Sequence, residues 1–200
     1  MKFFKENSYD VVRLFINQIG ITIFSMIMYT ALGMMSSLDS GTKLSINLVL
    51  SVFATLFYFA LIYTVMWDIG AKDKIRIDGG RMEPVKLKGA RMAFWANVPN
   101  FILTFVCVLT FAIYLIAGSG AAYNVSAVFN TIVRLLMSMY LGILQGVFAA
   151  LRSNTDMYYF TQAIGYFVIP VFSIAVTQLG YHFGTLEKKI FSSSVKKKNP

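Results

Sequence analysis

The sequence predicts an all-α fold: a polytopic transmembrane helix bundle of about five hydrophobic segments. Three observations predict it. Apolar residues make up 57% of the chain, and the mean hydropathy is +0.65. Only 14% of residues are charged, against roughly 25% in an ordinary globular chain. The apolar residues are gathered into long runs, and about 20 consecutive apolar residues suffice to carry a helix across the hydrocarbon core. In lipid each backbone amide needs an internal partner, which leaves helices or closed barrels. Barrel strands alternate and run for about 10 residues; these runs do neither.

The first run covers residues 14–35. Lys2 and Lys5 precede it, but it is longer than a signal-peptide core and no small-x-small cleavage site follows, so it reads as an uncleaved first span. The second, 44–67, has no charge in 24 residues. The third covers 99–118. Asn97-Val98-Pro99 reads as its start, because a first-turn proline has no amide bond to lose, and Gly118-Ser119-Gly120 reads as its end. The fourth, 126–151, contains Arg134. The fifth, 158–183, contains Pro170, which is expected to kink it. Together they form one transmembrane domain, 1–184, followed by a basic tail, 185–200. There is no internal repeat.

The linker 71–91 differs from the rest. It carries Lys72, Lys74, Arg76, Arg81, Lys86, Lys88 and Arg91. Lys74-Ile75-Arg76-Ile77 alternates polar with apolar, and Asp78-Gly79-Gly80 follows. The pattern fits a small β-hairpin or tight turn, or else a solvated basic loop. Each of these cations near an anionic membrane surface gains about 1 kcal/mol, so all seven are candidate contacts for lipid headgroups or a partner.

Short Lys- and Arg-rich loops remain cytoplasmic. The linker after the first run holds one cation, Lys43, and the linker after the third holds none. The expectation is an integral protein of a bacterial-type plasma membrane, with the N-terminus and linker 71–91 in the cytoplasm. The tail, with Lys188, Lys189, Lys196, Lys197 and Lys198, points inside as well. Five plain crossings would put it outside; a re-entrant or split fourth or fifth segment would reconcile the two.

Several function classes are disfavoured. The net charge is +9, but the cations lie between apolar runs, which fits headgroups rather than nucleic acid. One cysteine, Cys107, and one histidine, His182, make no intrachain disulfide and no zinc or iron site of the usual kind, and no cofactor is expected. Hydrolase and metalloprotease motifs are absent from the sequence, so no enzyme is expected.

The most specific pattern lies in the fourth run. Asn130, Arg134, Ser138, Gly142, Gly146 and Ala150 recur at every fourth residue and would share one helix face. Gly142-x-x-x-Gly146 is a small-xxx-small pattern that lets membrane helices approach closely. An arginine at a helix centre costs roughly 2.5–3.5 kcal/mol on insertion scales, so it either faces a polar interior or snorkels out. Asn17, Gln18, Asn47, Gln145, Gln162 and Gln178 are candidate hydrogen-bonding glue between helices, and Pro170 a candidate gate or packing kink. Asp68 is expected in a surface ion pair beside the linker.

These features lead first to a non-enzymatic accessory, assembly or regulatory membrane component. The alternative is a small transporter or channel subunit, working as a homo-oligomer or with a membrane partner, since five helices without an inverted repeat make a poor complete transporter.

Overall fold

The computed structural model describes residues 2–35, 37 and 39–187, and among these it is all helix and turn. The helices are α1 (Lys2–Glu6), α2 (Ser8–Met34), α3 (Ser40–Asp78), α4 (Lys88–Ala117), α5 (Gly120–Leu136), α6 (Leu141–Val147) and α7 (Thr155–Thr185). Short 3-10 turns, Ser138–Tyr140 and Ala149–Leu151, follow α5 and α6. Four helices, α2, α3, α4 and α7, are each long and apolar enough to cross a membrane. Residues 188–200, most of the expected basic tail, lie outside the described residues.

Side-chain contacts fix the direction of each helix. Gly180 and Gly184 of α7 back onto the carbonyls of Tyr63 and Trp67 of α3, so these two run parallel. Asn97 meets Ser173 at 3.2 Å, while Tyr114 meets Asp156 at 3.4 Å, so α4 runs antiparallel to α7. Asn100 reaches Gln18 at 2.9 Å and Phe4 packs on Trp95, so α2 and α4 run the same way. One end of the bundle therefore gathers the start of α2, the end of α3, the start of α4 and the end of α7. It carries Lys2, Lys5, Arg13 and the seven linker cations, and is called the basic end. The opposite end carries only Lys43 and Arg152 among the cations of the described residues.

The fourth hydrophobic run does not cross as one helix. The chain leaves α4 and starts α7 at the same end, where Tyr114 donates to Asp156 and Phe111 stacks on Phe160. Between them α5 descends until its last carbonyl, on Leu136, meets Gln18 and Thr22 in the middle of α2. The Thr55 hydroxyl donates to the Met139 carbonyl at 3.4 Å. A bend of 85° separates α5 from the helical stretch 138–147. The chain then climbs along α3: Gly142 packs on Asn47 and Ser51, and Gly146 on Leu48. Residues 118–154 thus form a hairpin within the bundle that begins and ends at the end opposite the basic one.

Three local expectations change. The linker is helical up to Asp78 rather than a hairpin. Its Lys, Arg, Ala and Asp residues propagate a helix, and Asp68–Lys72 and Lys74–Asp78 form i,i+4 ion pairs at 2.7 Å, the former as expected on the surface. Gly79 caps the helix and Gly80, at φ +66°, turns the chain. A 39-residue helix is about 58 Å long, so α3 outreaches a hydrocarbon core of about 30 Å. Pro99 lies inside α4, which begins eleven residues earlier at Lys88. Leu87 offers no side-chain cap there, and the Gln178 amide oxygen accepts from the Ala90 N–H at 3.0 Å instead. Pro170 does not split α7, which continues from Thr155 to Thr185.

Candidate functional site

The polar side chains of the apolar runs converge at mid-depth, around the tip of the hairpin. Gln18 and Thr22 come from α2, Asn97, Asn100 and Thr104 from α4, and Gln162 and Ser173 from α7; all are buried. Asn100 donates to Gln18 at 2.9 Å and to Asn97 at 3.1 Å, and Asn97 donates to Ser173 at 3.2 Å. Thr22 donates to the Leu136 carbonyl at 2.8 Å, and Ser138 returns a bond to the Thr22 carbonyl at 2.9 Å. Irregular backbone at membrane depth needs such partners, because lipid offers none. The sequence supplies them by spacing: Asn97, Asn100 and Thr104 fall at i, i+3 and i+7 on one helix face.

Arg134 lies in the last turn of α5, one turn above the break. Its guanidinium donates to the Gln162 amide oxygen at 2.6 Å and sits 5.3 Å from the centre of the Tyr159 ring. No carboxylate among the described residues forms an ion pair with it. The α5 C-terminus supplies about half a negative charge through its dipole, so the cation is only partly compensated. Its Nε is buried without a hydrogen-bond partner, and so are Asn130 Oδ1 and Gln162 Nε2.

Two clefts share Arg134 and Thr131 as walls. One, of about 210 Å³, lies between α4, α5 and α7 and is lined further by Phe111, Tyr123, Ser126, Ala127, Asn130 and Tyr159. The other, of about 230 Å³, lies between α2, α5 and α6, against Met26, Tyr29 and Ser138.

The six-residue stripe does not run along one face, because the chain bends at Met137. Asn130 and Arg134 stay together on the cleft wall. Ser138 turns to α2, while Gly142 packs against α3 with its N–H donating to Ser51 at 2.8 Å. Gly146 faces Leu48, Ala150 falls in the second 3-10 turn, and Pro170 is buried in α7, where its carbonyl accepts from Ser173 at 2.7 Å. The small-xxx-small spacing does bring helices together at Gly142. The same spacing at Gly180 and Gly184, which sequence reasoning missed, brings α7 against α3.

At the basic end the seven linker cations separate. Lys72 and Lys74 are tied to Asp68 and Asp78. Arg76, though exposed, lies 3.8 Å from the Asp73 carboxylate; Arg81 and Lys86 are exposed, and Arg91 lies 5.9 Å from the centre of the Phe3 ring. Lys88 is not available to headgroups. It is buried and paired at 2.7 Å with Asp73, itself 2% exposed, and the Tyr181 hydroxyl donates to the same carboxylate at 3.1 Å. Asp73 was hidden in the sequence among charged neighbours; only its place on the inner side of α3, three residues after Gly70, sets it apart.

Cys107 is buried, and His182 is exposed at the end of α7. Among the described residues no three His, Cys, Asp or Glu side chains group closely enough to hold a metal ion. Compared with protein-family models, curated proteins and solved structures, the chain matches none.

Proposed function

We propose that this chain is a non-enzymatic membrane protein that handles a small solute, as a subunit of a transporter or channel assembly. The observation that carries this reading is the broken α5–α6 hairpin ending in a buried polar centre beside an under-compensated arginine. Discontinuous helices that stop at mid-depth bring backbone ends and polar side chains to a solute without exposing them to lipid. An intramembrane cation costs several kcal/mol unless something offsets it, and such residues mark solute pathways. The absence of a repeat favours work as an oligomer or with a partner.

The same reading orients the protein. Four crossings place both ends of the chain on one side. Counting the tail lysines, fifteen of the eighteen cations belong to the basic end and its extensions, so that side is the cytoplasm by the charge rule. The membrane is of the bacterial plasma type on this proposal.

Proteoliposomes test the activity. Purified protein should pass a small organic anion such as benzoate faster than empty vesicles, and Arg134→Gln should remove the excess. A second reading, an accessory or assembly component, is favoured by the exposed Arg76, Arg81 and Lys86 at the basic end, which would dock an acidic partner or anionic headgroups. No flux together with a stoichiometric co-purifying membrane partner would select it.

A further inference from the structure

We propose that the cleft between α4, α5 and α7 is a binding site for an oxyanion, of the carboxylate or phosphate class, carried on a small apolar body, with Arg134 as its receptor. This rests on the solute-handling reading and specifies its ligand. Three independent features converge. The first is charge: Arg134 has no acid partner among the described residues, and the dipole of α5 offsets it only in part. The second is unmet hydrogen bonding. Gln162 takes one guanidinium nitrogen, while Nε has no acceptor. A guanidinium holds five donors in a planar fork that matches a carboxylate or phosphate edge, and Gln162 occupies one of them. The third is shape: the cleft of about 210 Å³ has Arg134 with the Tyr159 ring 5.3 Å away in one part and Phe111 and Tyr123 further along its wall. Such walls take an apolar body, and displacing water from the arginine strengthens its pairing with an oxyanion.

A plain structural role for Arg134, closing the α5 dipole and bonding Gln162, accounts for its position. It does not account for an aromatic cleft against the same cation or for a buried donor left idle.

Asp156 does not serve as its counter-ion; it accepts from Tyr114 at the mouth of the bundle. Asn130 lines the same wall one turn above Arg134, and its buried side-chain oxygen has no hydrogen-bond partner.

The oxyanion can come from solution or from a lipid headgroup, and two arms separate them. In the first, full-length protein in neutral maltoside detergent is titrated calorimetrically with benzoate. In the second, nanodiscs containing phosphatidylglycerol are compared with nanodiscs of phosphatidylcholine alone. Saturable benzoate binding at one site, weakened at least tenfold by Arg134→Gln and less by Arg134→Lys, is expected; Arg152→Gln should leave it unchanged. Benzoate binding lost in phosphatidylglycerol nanodiscs, but kept in phosphatidylcholine, would assign the site to a lipid headgroup; binding kept in both would assign it to a soluble anion. Ala127→Trp, which fills the cleft without touching the arginine, should block binding even where Arg134→Gln fails to fold. Absence of saturable binding to the wild-type protein in detergent, or binding that survives Arg134→Gln or Ala127→Trp at full strength, overturns the proposal. Binding without flux would instead sink the transport reading and leave this site standing.

Discussion

Lys88 and Asp73 show how little a residue's charge alone says about its role. Seven linker cations look alike in the sequence, yet Lys88 alone among them is buried against a buried carboxylate, with Tyr181 completing the cluster. The pair joins the end of α3 to the start of α4 and α7, so the linker folds back instead of lying on headgroups. Removing one member of a buried pair strands the other charge, which typically costs 3–5 kcal/mol, whereas replacing both with apolar groups is often close to neutral. Lys88→Met should therefore destabilise the protein by about 3 kcal/mol. The double variant Asp73→Leu, Lys88→Met should recover most of that, and unfolding in mixed detergent and SDS micelles measures both. Equal losses in the single and double variants would show that packing, not charge, sets the cost. Tyr181→Phe loses one hydrogen bond to a charged group and should cost about 1.5 kcal/mol.

At the scale of elements, close approach of α3 and α7 depends on missing side chains. A Cβ on Gly180 would come within 2.6 Å of the Tyr63 carbonyl, and one on Gly184 would collide with the carbonyl of Trp67. Backbone cannot yield as a side chain can, so Gly184→Ala should cost about 1–3 kcal/mol by overpacking. Gly20→Ala, where a Cβ meets nothing within 4 Å, is the control and should be neutral or better in the same unfolding assay. The hairpin tip depends instead on side chains that take up a free carbonyl. Gln18→Leu with Thr22→Val leaves the Leu136 carbonyl unpaired, and a cysteine at position 138 should then react faster with a small maleimide than in the parent. Unchanged reactivity would mean that the tip is held by packing alone.

These elements also mark what the sequence could and could not disclose. Long apolar runs announce spanning helices directly, and the four uninterrupted ones are in place. The charge balance pointed to a re-entrant or split fourth or fifth segment without choosing between them; the place of the break was not legible, because at Met137 it is made by partners over a hundred residues away, Gln18 and Thr22, with no glycine or proline to signal it. Pro99 misled for the converse reason: a proline tolerated within a helix resembles one at its start until Gln178 is seen holding the first turn. Arg134 stood out as the lone cation of its run, whereas Asn97 read as part of a helix start and Asn100 did not stand out at all, though both help to build the polar centre.

For the whole molecule, the topology turns on the path of residues 118–154. Four crossings with one hairpin would put the start of α2 and the end of α7 on the same side of the membrane and bring the polar centre to mid-depth from one side only. Five crossings would separate the end of α4 from the start of α7 by the thickness of the bilayer, whereas Tyr114 and Asp156 meet. Cysteines introduced singly as Gly120→Cys and Ser153→Cys, with Glu83→Cys as a marker of the basic end, distinguish the two in a Cys107→Ala background. The measurement is labelling of intact cells by a membrane-impermeant maleimide, before and after permeabilisation. Positions 120 and 153 should both react in intact cells, and position 83 only after permeabilisation. Reaction of 120 and 153 from opposite sides of the membrane would contradict the re-entrant path and the site built on it.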